Sequence, residues 1–139
     1  LAVSIEDLAA KSSNASAKVL AAALDKAVGT FLVANKNPSR KVREIDNRGS
    51  HYWLARYWAE ELAKQDDDTQ LKGAFSEAAK ELAAAEATVM QELVECQGTA
   101  VDVGGYYRVD KKKADVAMNP SKTLNSIVER IAQGPDARC

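Results

Sequence analysis

The densest group of residues able to do chemistry lies at positions 35–50, NKNPSRKVREIDNRGS. Lys36, Arg40, Lys41, Arg43 and Arg48 outnumber Glu44 and Asp46 there, in a chain whose 19 Lys and Arg are balanced by 20 Asp and Glu. A guanidinium is a planar fork of donors that matches the oxygens of a phosphate or a carboxylate. Arg40 follows the rigid Pro38, and Ser39 adds a hydroxyl donor. The residues admit two readings. One is an anion clamp for a phosphate group. The other is a solvated loop whose arginines pair with Glu44, Asp46 and neighbouring helices.

Other chemically able groups are weaker. His51 is the only histidine, and histidine is the side chain that titrates near neutrality. It falls on an apolar face beside Tyr52 and Trp58, so the expectation is a core histidine bonded to a backbone carbonyl or to Asp46. A general base would need a nucleophile or carboxylate within hydrogen-bond reach. The run Asp66, Asp67, Asp68 suits a helix cap better than a magnesium site. Glu60 with Glu61 and Glu81 with Glu86 are further carboxylate pairs. Cys96 reads as a small buried apolar residue, and Lys111 to Lys113 as a solvated run. GxGxxG, GxxxxGK and GxSxG are all missing.

These residues are positioned by a mostly α-helical framework. A cap at Ser13 or Asn14 opens a helix to about Asn35, with Leu20, Leu24, Ala27, Val28 and Phe31 as its stripe. Gly29 within that stripe suggests a close neighbour. Ser50 is expected to cap a second helix to about Lys64, with His51, Leu54, Ala55, Trp58 and Leu62 on one face. A third helix, one continuous segment, runs from the Asp turn to about Gln97 and stops at Gly98. Val101 and Val103 alternate with Asp102 as a short extended segment. Gly104-Gly105-Tyr106-Tyr107 makes a sharp loop. A short helix over Lys111–Met118 and a last one opened by Pro120 complete about five helices. The expected core gathers Trp53, Trp58, Phe31, Phe75 and Leu82.

Length and composition fit this picture. The chain has 139 residues, 46% hydrophobic and 28% charged, with net charge -1. That suits one domain with a real core. It gives no electrostatic reason to expect nucleic acid, and no apolar run reaches the length of a membrane span. Two cysteines and one histidine make neither a disulfide framework nor a multi-histidine metal site. No signal peptide is visible. The first residue is Leu1, and LAVSIEDLAAK reads as the middle or end of a helix, so preceding residues are expected.

Three segments carry a resemblance. NKNPSRKVREIDNRGSHYWLARYWAEEL, QGTAVDVGGYYRVD and AMNPSKTLNSI are similar, in order and spacing, to the C-terminal region of monomeric-type NADP-dependent isocitrate dehydrogenase. The likeness extends from about Leu1 to Ile127. It implies a helical C-terminal part, residues 1–133, of a larger α/β enzyme, while the composition of 134–139 reads as a flexible tail. It implies oxidative decarboxylation of isocitrate to 2-oxoglutarate with NADP and Mg2+ or Mn2+. The family's metal ligands, catalytic lysine and tyrosine, and most isocitrate contacts lie upstream of this segment. One cofactor residue carries over: the Arg of Pro-Ser-Arg-Lys-Val, here Arg40, contacts the NADP phosphate.

The sequence departs from the family pattern at Arg43, where Gly is common, and at Arg56, where Leu is common. Arg43 lies close enough to the clamp to alter cofactor grip. Arg56 is a candidate for a changed subunit or domain contact. The tail VERIAQGPDARC also runs longer than usual. The expected partners are NADP, isocitrate and the upstream domains, with self-association left open. The compartment implied is the cytoplasm in a bacterium, or a mitochondrion or other organelle in a eukaryote. The rival reading is a stand-alone helical interaction module derived from the same region, without catalysis.

Overall fold

A computed structural model describes residues 1–133. Among them are seven helices: α1 (Ala2–Ser12), α2 (Ala15–Val33), α3 (Asn47–Lys64), α4 (Thr69–Ala84), α5 (Glu86–Glu95), α6 (Lys111–Met118) and α7 (Lys122–Gln133). The mostly α class expected from periodicity is therefore observed. The tail at 134–139 lies outside the described residues.

Polar side chains set the helix starts. Asn14 opens α2 by accepting from the Ala17 N–H at 3.0 Å, one of the two caps anticipated. Asp68 opens α4 through the Leu71 N–H at 2.9 Å, and Asp110 opens α6 through the Lys113 N–H at 3.0 Å. The expected cap at Ser50 is wrong. Asp46 opens α3 instead, accepting from the Arg48 and Gly49 N–H groups. A carboxylate takes two such donors and also complements the positive end of the helix dipole. Ser50 lies inside the helix and donates its hydroxyl to the Lys36 carbonyl at 2.7 Å.

The long third helix is two helices. It breaks at Ala85, with neither proline nor glycine at the joint. The Tyr52 hydroxyl donates to the Leu82 carbonyl at 2.6 Å. That oxygen is the one a continuous helix would give to the Glu86 N–H. A side chain inserted into the ladder is a recognised cause of such breaks. The expected extended segment at Val101–Val103 forms no strand. Among the described residues it finds no partner strand, and a lone extended run has nowhere to place its backbone hydrogen bonds. It instead enters a closed loop. The Asp110 N–H donates to the Val103 carbonyl at 2.7 Å, and the Gly104 N–H to Asp102 at 2.8 Å. A Cβ on Gly104 would come within 2.7 Å of Asp110. Tyr106 and Tyr107 project from this loop into solvent, edge to face, with centroids 5.0 Å apart.

Helix α3 packs against α2 on one side and α4 on the other, α1 covers α2, and α7 lies across α4 and α5. Ala17, Ala21, Ala23 and Ala27 of α2 and Ala59 of α3 are buried, and small side chains let helix backbones approach closely. The main core gathers Tyr52, Trp53, Leu82, Val89, Leu93 and Ile127, with Phe31 and Phe75 packed against it. Of the expected core, Trp53 and Leu82 are central and the two phenylalanines peripheral. Trp58 is half-buried outside this cluster, donating Nε1–H to the Leu20 carbonyl at 3.1 Å. The expected face of α3 is corrected too. His51 and Ala55 are exposed, whereas Tyr52, Trp53, Ala59 and Leu62 are buried. With neighbours on two sides, α3 buries a wide sector that one stripe does not describe. Gly29 has no crowding neighbour, since a Cβ there would meet nothing within 4 Å.

Trp53→Ala is expected to cost about 3 to 5 kcal/mol. Trp58→Phe should cost only about 1 kcal/mol, mainly the lost hydrogen bond to α2. Urea melts of both variants check this ordering, and a larger loss for Trp58→Phe would move the centre of the core.

Candidate functional site

The basic loop is built between the end of α2 and the start of α3. The Asn35 N–H bonds the Leu32 carbonyl and the Lys36 N–H the Phe31 carbonyl, at 3.1 and 3.3 Å, as the chain leaves α2. Lys36 then extends over the Trp53 ring, its Nζ 3.7 Å from the centroid. This cation–π contact uses the charge of Lys36 within the fold. Farther on, the Ser39 N–H donates to the Ile45 carbonyl at 2.7 Å and closes the loop at its base. Ser39 Oγ donates to Glu44 and accepts from the Lys41 N–H. The hydroxyl expected to serve an anion is therefore engaged inside the loop.

Gln97, just beyond α5, clasps the second limb of this loop. Its Oε1 accepts from the Arg43 N–H at 2.7 Å. Its Nε2 donates to the Glu44 carbonyl at 2.9 Å and to the Asp46 carboxylate at 3.2 Å. Arg43 itself has φ 68°, a left-handed conformation that glycine adopts freely and other residues at a cost. Glycine would adopt this turn without that cost, and Arg43 holds it with a full side chain.

Asp46 is the busiest acceptor of the site. Besides capping α3 it receives Arg48 Nε at 2.9 Å and Nη2 at 2.5 Å. Arg48 Nη1 continues to the Ala117 carbonyl at 2.9 Å, and so reaches the last turn of α6. Burial alone would raise the Asp46 pKa. The Arg48 hydrogen bonds, the Gly49 and Arg48 N–H groups and the Arg48 charge outweigh it, and hold the carboxyl below its usual value. The Asp46 hydrogen bond is likewise the largest influence raising the Arg48 pKa.

The loop's five cations therefore divide. Lys36 lies on Trp53, Arg48 is locked to Asp46, and Lys41 stands 3.9 Å from Glu44. Arg40 and Arg43 are exposed, and among the described residues neither guanidinium meets a carboxylate. Arg40, the cation that follows Pro38, is thus left available.

His51 is not a core histidine. It lies on the rim of an open cleft of about 320 Å³ that also involves Arg48, Asn119, Ser121 and Asn125. Asp46 is engaged elsewhere, and among the described residues His51 has no hydrogen-bond partner that would make it a base. This cleft does bring the DNRGSH and MNPS segments together. Ser121 there is buried and donates to Glu92 at 2.6 Å, and Glu92 also accepts from Thr123. Arg56 is paired within the chain. It is braced between Glu60 and Glu86, and its Cζ lies 5.1 Å from the Trp53 centroid.

The remaining carboxylates are also accounted for. Asp68 caps α4 and accepts from Ser16, Asp66 pairs with Lys72, and Glu81 with Arg130. Among the described residues no group of three or more His, Cys, Asp or Glu could hold a metal ion. Cys96 is half-buried, its thiol directed at the Leu93 carbonyl. Lys111 and Lys113 pair with Asp115 and Asp102 at the surface. Among the described residues no helix is long and apolar enough to cross a membrane.

Residues 1–129 match the family model described as monomeric isocitrate dehydrogenase. The chain belongs to the monomeric isocitrate dehydrogenase family. The isocitrate dehydrogenase [NADP] 2 of Colwellia maris is 50% identical over 131 residues, covering 94% of this chain. Its namesake from Psychrobacter sp. (strain 13A) is 48% identical over 132 residues, covering 95%. That of Mycobacterium tuberculosis is 46% identical over 131 residues. In each case the matched region is 18% of the relative's own length. The likeness of the three segments is thus one of family, over nearly all of this chain and a small part of its relatives.

Asp46→Asn keeps an N-cap but loses the ion pair, with an expected loss of about 1.5 to 3 kcal/mol. The folded pKa of Asp46 lies below the unfolded value of 3.8. Its stabilisation is therefore complete above that value and is lost as pH falls through the lowered folded pKa. Thermal melts between pH 7 and pH 2 should show the gap between wild type and Asp46→Asn holding down to about pH 4 and closing below it.

Proposed function

We propose that this chain is the C-terminal segment of an enzyme that oxidatively decarboxylates isocitrate to 2-oxoglutarate, and that Arg40 binds the 2′-phosphate of its NADP. The observation that carries the proposal is an exposed guanidinium without a carboxylate partner on a loop tied at its base. Family membership and the names of the relatives support the choice of anion and of reaction.

The donor set suits a phosphate monoester. Arg40 can present two parallel N–H donors to two phosphate oxygens. The free Arg43 adds positive charge on the same loop, and Lys41 is only loosely compensated by Glu44. Lys36 and Arg48 shape the loop and do not bind the anion, because their charges are engaged within the fold. When bound, NADP supplies the hydride acceptor. Arg40 supplies orientation and the preference for NADP over NAD, whose ribose lacks the phosphate.

Mg2+ or Mn2+ does not fit the described residues of this segment. Its ligands, the catalytic base and most of the isocitrate contacts belong in this reading to the rest of a longer polypeptide. The segment's partners are that remainder, NADP and isocitrate.

Two measurements test the proposal. In the intact enzyme, Arg40→Ala should weaken NADP by roughly tenfold to a hundredfold and leave NAD use nearly unchanged, the worth of one charge-assisted contact. Arg40→Lys should recover only part of this loss, because an ammonium lacks the planar fork. Equal losses for both cofactors would make Arg40 a structural residue of the loop. Separately, the 139-residue chain given isocitrate, NADP and Mn2+ should form no NADPH, and turnover comparable to an intact enzyme would refute the assignment of the remaining machinery to other residues.

A further inference from the structure

We propose that Gln97 is a positioning residue for the Arg40 loop, holding it in an anion-ready shape before any ligand arrives. The proposal rests on Arg40 reading the cofactor phosphate and adds what makes that arginine effective.

The geometry is that of a clasp. One side chain from the end of α5 meets three successive points of the second limb: the Arg43 N–H, the Glu44 carbonyl and the Asp46 carboxylate. An amide is the group this requires, because it offers an acceptor and two donors on one planar end. Glutamate would keep the acceptor, lose both donors and set a second negative charge against Asp46. Asparagine is one methylene shorter. Gln97 is itself fixed, half-buried, with its N–H on the Val94 carbonyl at 3.1 Å. The next residue, Gly98, has φ 86°, and a Cβ there would lie 3.3 Å from Val42 Cγ1. The chain therefore turns sharply where the loop and the clasp meet.

The clasp acts on Arg40 through the backbone. Its shortest contact falls on Arg43, the left-handed residue of the loop. Without that acceptor the turn loses the bond that offsets its conformational cost. The Ser39 to Ile45 hydrogen bond then links the limb held by Gln97 to the limb that carries Arg40. Fixing a binding loop in its bound shape raises affinity by lowering the ordering cost on association.

The test has two arms. In the 139-residue chain, amide hydrogen exchange at Arg43 is followed by NMR in wild type, Gln97→Ala and Gln97→Met. The methionine variant keeps the length and packing of the side chain without its hydrogen bonds. Both variants should lose protection at Arg43 while helix α3 stays protected. In the intact enzyme the same variants should raise KM for NADP about threefold to tenfold, the effect of freeing one or two ordered groups. NAD use and kcat should hardly move. Unchanged protection at Arg43 overturns the clasp. Lost protection with unchanged NADP KM, or equal KM increases for NADP and NAD, overturns the positioning role. Failure of the underlying phosphate reading is seen separately, as an Arg40→Ala enzyme whose preference between the cofactors is unaltered.

Discussion

The Asp46 carboxylate is the contact on which the arrangement of the basic loop depends. One side chain caps α3, holds Arg48 and receives the Gln97 amide. Arg48 extends the connection to the end of α6, and Gln97 extends it to the end of α5. Four parts of the chain thus converge on a single negative charge. A carboxylate with this many donors stays ionised although it is half-buried. The same engagement explains the sorting of the neighbouring cations. Asp46 engages Arg48, Trp53 engages Lys36, and among the described residues the cations left without a carboxylate are Arg40 and, nearby in the loop, Arg43.

Periodicity made the helices legible and left their joints obscure. The stripe of α2, the acidic cap of α4 and the short helix at Lys111–Met118 all stand where spacing and capping chemistry put them. The break at Ala85 was hidden because its cause, the Tyr52 hydroxyl, comes from another helix. Alanine has the highest helix propensity, so nothing local marks residues 83–87 as a place to stop. The start of α3 is obscure in the sequence for a different reason. Both Asp46 and Ser50 are good caps, and the choice was made by donors that only the folded loop supplies. His51 went astray with that register, since an apolar neighbourhood in sequence did not become an apolar neighbourhood in space.

The site was half legible. Arg40 stood out because a rigid proline and a cluster of cations are visible in sequence. Its availability was not visible, because that depends on where five cations find their partners. Gln97 carried no signal at all, lying 54 residues from the N–H it accepts. Arg43 is intermediate. A left-handed turn there favours glycine, and the N–H of the arginine that occupies it is bonded by the Gln97 amide. Arg56 shows the opposite outcome. Its charge is paired with Glu60 and Glu86, both within this segment.

The clasp also bears on the order in which the molecule assembles. Helix pairs α1–α2 and α3–α4 are neighbours in sequence and pack together, so each can form as a local hairpin over a short span. The bonds that shape the basic loop join residues 51, 53, 54 and 69 positions apart. Contacts that close large spans form against a larger chain entropy, and so tend to follow local ones. The helical hairpins are then the early structure and the basic loop the late one. In a chain arranged this way, the loop that carries Arg40 takes shape only after the framework that must hold it is in place.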